Sequence, residues 1–214
     1  VIPKRYNSIS LGLMAIGILS VIILLFTHGL SSEPKEQARF WASLLQNSVY
    51  FLLVVNAAMF FVAATTLAWG GWQVTFKKVP EAISACVPVI SVITGVILLA
   101  IVFGGNHDIY HWTDYEHVKH DHILLHKSGF LSKTFFTVVT IITLIGWWLL
   151  GKKMRDISNE IDNKSLTVAE GRKYIWKNTV WAAAFLAFFA LTVLSTIPWL
   201  WLMSIDAHWD STMY

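Results

Sequence analysis

A chain of 214 residues that is 56% apolar, contains eleven tryptophans and has a mean hydropathy of +0.59 falls outside the range of soluble domains and inside the membrane class. Its formal net charge of +3 is too small and too scattered to argue for nucleic acid, and membrane orientation explains the basic residues at the ends of apolar runs. The single cysteine, Cys86, excludes an internal disulfide, a four-cysteine cluster and a Cys-x-x-Cys-His haem attachment, so any iron belongs to partners.

Five runs are long enough, at about 20 residues, to cross a hydrocarbon core about 30 Å thick. They lie near 9–30, 44–69, 82–104, 131–151 and 178–203, and predict an all-α integral membrane protein. Residues 1–43 form a tail, the first span and a connection. Residues 44–203 hold the other four spans, interrupted by a His-rich loop at 105–130 and a charged connection at 152–177, and 204–214 leads onward. The chain starts at Val1 without a methionine and stops at Tyr214 just past an apolar span, which predicts a piece of a longer protein. Leu11 to Leu25 resembles a signal-peptide core but runs on to Leu30 without a small-residue cleavage site, so it reads as a span.

The connections set the expected orientation. Eleven basic residues fall in the N-terminal tail, 70–81 and 152–177, against five on the other side, Lys35, Arg39, Lys119, Lys127 and Lys133. By the positive-inside rule the N-terminus is cytoplasmic and all eight histidines lie outside. In the second span, preceded by an amphipathic lead from Glu36 to Asn47, Asn56, Thr65 and Thr66 are expected to hydrogen-bond to a neighbouring helix. Pro88 predicts a kink or break in the third span. Thr134, Thr137, Thr140 and Thr143 draw a stripe on the fourth that reads as a packing seam. The 152–177 connection reads as two helix extensions joined by a turn.

Two constellations carry chemistry. Asn106 to Lys133 holds six of the eight histidines, with His107 and His111 four apart, His122 and His126 four apart, and His117, His120 and Asp121 between. On helices such pairs share a face and could bind a transition metal. Interleaving with Tyr110, Trp112 and Tyr115 instead fits an interfacial segment that faces a partner. His107, His111, Trp112, His117, His120 and His122 therefore form the expected partner-facing surface, and Asp121 and His126 the part expected to meet a proton or a quinone. The second constellation is Asp206 and His208 at the end of the fifth span, with His28 at the end of the first. Carboxylate and imidazole at a membrane surface are acceptors for the protons of a quinol. The competing reading is interfacial anchoring, with Trp199, Trp201 and Trp209 as an aromatic belt and Asp206 as a helix cap. No histidine falls at mid-membrane, which argues against a haem b held by this chain.

Four motifs occur in order between the spans: Arg39 to Ser48 (RFWASLLQNS), Gly71-Trp72 with Val79-Pro80-Glu81-Ala82, Asp121 to Phe136 with His126-Lys127 and Phe135-Phe136, and Trp201 to Trp209 (WLMSIDAHW). Together they resemble the F subunit of bacterial alternative complex III, of the polysulfide-reductase-type membrane subunits, over nearly the whole chain. The resemblance implies a subunit of about ten spans, two four-helix bundles with flanking helices, of which this chain would supply one flanking helix and one bundle. It implies a quinol:electron-acceptor oxidoreductase in a bacterial inner membrane, whose membrane subunits are associated with quinol oxidation and proposed proton translocation. Its partners would be periplasmic multihaem cytochrome c and iron–sulfur subunits, a homologous membrane subunit and, in some systems, a terminal oxidase. This chain would bind quinone at most and hold no metal of its own. Two positions depart from the pattern: Leu200 stands where an acidic residue is expected and Asp210 where an aromatic one is. Two other readings stay open, a purely structural docking subunit and a His-rich metal-handling membrane protein.

Overall fold

Long apolar runs without central charge can satisfy their backbone in lipid only by coiling into helices, and the computed structural model is helical throughout its regular elements. It describes residues 4–31, 33–104 and 107–206, with backbone alone at Tyr115 and His117. In chain order the helices are α1 (Lys4–Leu24), α2 (Pro34–Leu67), α3 (Lys78–Ser84), α4 (Val87–Phe103), α5 (Tyr115–His120), α6 (His122–Lys127), α7 (Lys133–Asp162) and α8 (Val168–Ser195). Five helical stretches of 26 to 38 residues are long and apolar enough to cross a membrane: Lys4–Gly29, Pro34–Leu67, Lys78–Phe103, Lys133–Asp162 and Val168–Ile205. Val92, Val96, Ile142, Leu149 and Leu191 on these stretches remain exposed, apolar surface of the kind that faces a membrane or another protein. The chain is an all-α membrane protein.

The ends of these helices follow their local chemistry. Ser132 caps α7 by accepting from the Phe135 amide, and Thr167 with Glu170 closes a capping box at the start of α8. Pro88 falls in the first turn of α4, just after a break at Ala85 and Cys86, so the third span is two helices end to end. Pro198 withdraws an N–H from the fifth span, and the chain widens there into a π-helical turn, Thr196–Leu202, that buries Leu200. The 152–177 connection is two helix extensions joined at 163–167.

The chain divides into two units, residues 1–44 and 45–214. In the first, α1 buries none of its residues, and a π-helical turn over Leu25–Gly29 leads into α2. The Gly29 carbonyl accepts from Gln37 Nε2 at 3.2 Å and Trp41 Nε1 at 3.3 Å. A Cβ on Gly29 would lie 2.7 Å from the Phe40 ring, so this close approach requires glycine.

In the second unit the remainder of α2 packs with α4, α7 and α8. Met59, Val62 and Ala63 of α2 meet Met154 of α7 and Ala182 and Phe185 of α8. Thr94 of α4 donates to the Ser48 carbonyl of α2 at 3.3 Å. Between α7 and the α8 span the contacts are polar as well as apolar. Trp147 Nε1 donates to Thr192 Oγ1 at 2.9 Å, Trp201 Nε1 to Thr140 Oγ1 at 3.0 Å, and Thr143 Oγ1 lies 3.3 Å from Thr196 Oγ1.

The threonine stripe is thus a seam over half its length. Thr140 and Thr143 are buried, whereas Thr134 is exposed and Thr137 half-buried and bonded to its own helix. Three-residue steps drift by ~60° round a 3.6-residue helix, so four of them cannot share one face. Asn56, Thr65 and Thr66 also differ from expectation: each bonds to a carbonyl of its own helix, and the two threonines add the Gln73 side chain.

Thr140→Val should cost about 1–3 kcal/mol, because it strands the buried Trp201 N–H, whereas Thr137→Val should cost under about 0.5 kcal/mol. Thermal unfolding in detergent distinguishes them; equal losses would contradict the seam.

Candidate functional site

The His-rich segment is held by an aromatic plug. Tyr110 is fully buried and its hydroxyl donates to the Trp201 carbonyl at 2.9 Å. Its ring lies 5.5 Å from that of Trp112 and 5.6 Å from that of Phe136, and Trp112 and Phe136 are 5.4 Å apart. Burial raises the Tyr110 phenol above its ordinary pKa, which keeps it a neutral donor. Asp114 caps α5 by accepting from the Glu116 amide, and Asp121 caps α6 by accepting from those of Ile123 and Leu124.

Within this frame the histidines separate into two sets. His107 is half-buried, with Nδ1 2.7 Å from Thr113 Oγ1, and belongs to the plug. His111 sits in a 3-10 turn, so His107 and His111 do not form a helical pair. His111, His120, His122 and His126 are exposed. The rings of His122 and His126 pack edge to face 4.5 Å apart on α6. Trp112 corrects the expected partner-facing set: at 4% exposure it faces inward, because a ring that size gains more against Tyr110 and Phe136 than at the surface. Its Nε1 finds no acceptor among the described residues. Asp121 is held by its capping role and is half-buried. The side chain of His117 lies outside the described residues, and so does the whole of His208. Among the described residues no three metal-ligating side chains gather. Asp206 is exposed beyond the last turn of the fifth span, in extended backbone.

In the 1–44 unit His28 gains a partner the sequence did not single out. Its Nδ1 is 3.3 Å from Glu36 Oε2, and Ser31 Oγ donates to the same oxygen at 3.5 Å. The pair is half exposed and opens on a cleft of about 360 Å³ lined by Leu24, His28, Glu36, Arg39, Phe40 and Ser43. The cleft therefore places an imidazole, a carboxylate, a guanidinium and a hydroxyl against Leu24 and the Phe40 ring. A ligand with a polar, proton-bearing head and an apolar body would find both parts of its surface matched there. Glu36 was legible in principle: a histidine in the last turn of one helix and an acid in the first turn of the next, across a short turn, are brought together by the reversal.

A further polar cluster joins α3 to α7. Glu81 is buried, with Oε2 3.0 Å from Lys78 Nζ. Lys78 also donates to Ser158 Oγ at 3.2 Å and Asn159 Oδ1 at 3.1 Å and pairs with Asp162, which lies 3.7 Å from Lys77. Arg155 donates to the carbonyl and hydroxyl of Ser84 at 3.0 Å. Glu81 lies at the end of the polar 70–81 connection, where the sequence turns apolar. A single acid beside two lysines at the head of an apolar run gives no sign of which way it points.

No protein-family model matches the chain, and no curated protein is significantly similar to it.

Lys78→Met should destabilise the protein by about 1–3 kcal/mol by leaving Glu81 buried and unpaired, and Lys78→Met with Glu81→Met should recover part of that loss. A double-mutant cycle by thermal unfolding measures it. Additive losses would show that the pair is not coupled.

Proposed function

We propose that this chain is a membrane subunit of a respiratory quinol:electron-acceptor oxidoreductase, with His28 and Glu36 accepting protons from quinol. The observation that carries the reading is the His28–Glu36 pair at 3.3 Å opening on its cleft. Oxidation of a quinol to the quinone releases two protons and two electrons. An imidazole hydrogen-bonded to a carboxylate is a suitable acceptor for the former, and redox centres of partner subunits would take the latter. The resemblance of four motifs to the F subunit of alternative complex III supports the same reading. It extends it to a bacterial inner membrane, with the N-terminus cytoplasmic and the His-rich loop periplasmic, as the distribution of basic residues favours. Asp206 and His208 are retained as further proton acceptors in this proposal.

A second reading is favoured by the aromatic plug. Tyr110 and Trp112 hold the loop while His111, His120, His122 and His126 face outward, the arrangement of a docking surface for periplasmic haem and iron–sulfur subunits.

In the intact complex, His28→Ala and Glu36→Gln should each lower quinol turnover by about a hundredfold, the lower end of what a positioned acid or base contributes, while multihaem cytochrome absorption still co-purifies. Unchanged turnover in both variants would overturn the proton-accepting role. Alanine at all four exposed loop histidines should release the cytochrome on purification if the loop docks it; full retention would remove the docking reading.

A further inference from the structure

Where α2 ends and α8 begins, beside the 163–167 turn, an open cleft of about 410 Å³ is lined by Trp69, Val168, Gly171, Arg172, Ile175 and Trp176. Its volume lies in the range of roughly 300–1,000 Å³ typical of small-ligand sites. The lining is divided in character: two indoles and two aliphatic side chains for an apolar body, one guanidinium for an anion. Trp69 and Trp176 are 70% and 66% exposed at the ends of membrane-crossing helices, where indoles sit at the headgroup level. Arg172 is exposed and makes no ion pair among the described residues. Lys173 and Lys177 follow it on α8, and the nearby acid Glu170 is taken up by the capping box. The cleft therefore offers uncompensated positive charge beside an aromatic wall.

The backbone at Trp69 supplies an independent sign. The α2 helix ends with the Trp69 amide bonded to the Thr66 carbonyl at 3.2 Å and the Gly70 amide to the Thr65 carbonyl at 3.0 Å, the Schellman pattern. That pattern puts Trp69 in the left-handed region, at φ 53°, where it is the one non-glycine residue of positive φ among those described. Glycine fills such a position without strain and a bulky aromatic residue does not. The chain thus holds an indole in a strained conformation with most of its surface outside the protein.

We propose that this cleft binds an anionic phospholipid, with Arg172 on the headgroup phosphate and the Trp69 and Trp176 rings against the glycerol and first acyl carbons. The occupant is a lipid rather than a free anion because the lining is mostly apolar and lies where membrane-crossing helices end.

The test uses the full chain in detergent, titrated with phosphatidylglycerol, with phosphatidylcholine of the same acyl chains, and with inorganic phosphate, read by native mass spectrometry and thermal unfolding. The wild type should retain phosphatidylglycerol about fivefold more tightly than phosphatidylcholine, the factor expected for one basic residue at a membrane surface. Arg172→Gln should abolish that preference. Gly171→Leu, whose added Cβ meets nothing within 4 Å, should fold normally and block the cleft to both lipids. Trp69→Gly should leave the lipid-free melting temperature unchanged or raised while weakening phosphatidylglycerol retention, a combination that damage to the fold does not produce. Equal retention of the two lipids by the wild type, or a preference that survives Arg172→Gln and Gly171→Leu, would overturn the proposal. So would a melting-temperature rise of the same size from inorganic phosphate alone.

Discussion

Inside a hydrocarbon surround a buried N–H or O–H has no water to turn to, so a partner within the protein is worth more there than at a wet surface. The seam between α7 and the α8 span is built on such partners. The indoles of Trp147 and Trp201 each have one donor, and each finds a threonine hydroxyl on the facing helix at 2.9 and 3.0 Å. Tyr110 completes the series by donating to the Trp201 carbonyl. Apolar contact alone selects no register here, because lipid tails are as apolar as leucine and give helices little reason to prefer one another. Hydrogen bonds between named partners do select one. The close approach of α7 and α8 at Gly146, where a Cβ would meet the Phe188 ring, serves the same register. The plug that positions the histidine loop is therefore anchored, through Trp201, to the same seam.

The two ends of the 45–214 unit use polarity differently. Around the α3–α7 contact, Lys78, Glu81, Asp162 and Arg155 are engaged with one another or with Ser84, Ser158 and Asn159, so charge there is spent on joining helices. In the histidine loop Asp114 and Asp121 are drawn into caps while four imidazoles remain at the surface. Groups of the first kind hold the fold. Those of the second lie on the exposed surface of the loop.

Much of the architecture could be read from the sequence because a 20-residue run without central charge has few other solutions. The five spans, the break near Pro88 and the helical hairpin through the charged connection all followed from length, proline and charge. Contacts made by direction rather than composition did not. Trp112 looked like a surface aromatic because its neighbours in sequence are polar; only the fold shows Phe136, 24 positions later, waiting for it. The threonine stripe looked continuous because a three-residue repeat resembles a helical one over a few steps. Asn56, Thr65 and Thr66 were expected to reach across helices, but short polar side chains in a helix find their own backbone first. Glu36 and Glu81 were in plain view, yet their partners His28 and Lys78 become visible only when the helix reversal and the local helical turn are in place.

The π-helical turn at Thr196–Leu202 also decides which way position 200 faces. An extra residue in one turn rotates everything beyond it by ~100° relative to a continuous α-helix. Here the wide turn lets neighbours Leu200 and Trp201 both face inward, at 2% and 0% exposure. Position 200 is thus enclosed by protein rather than lipid. An ionisable side chain there would be buried and demand a partner from within the protein. With leucine, the interior of the fifth span is electrically silent at this depth.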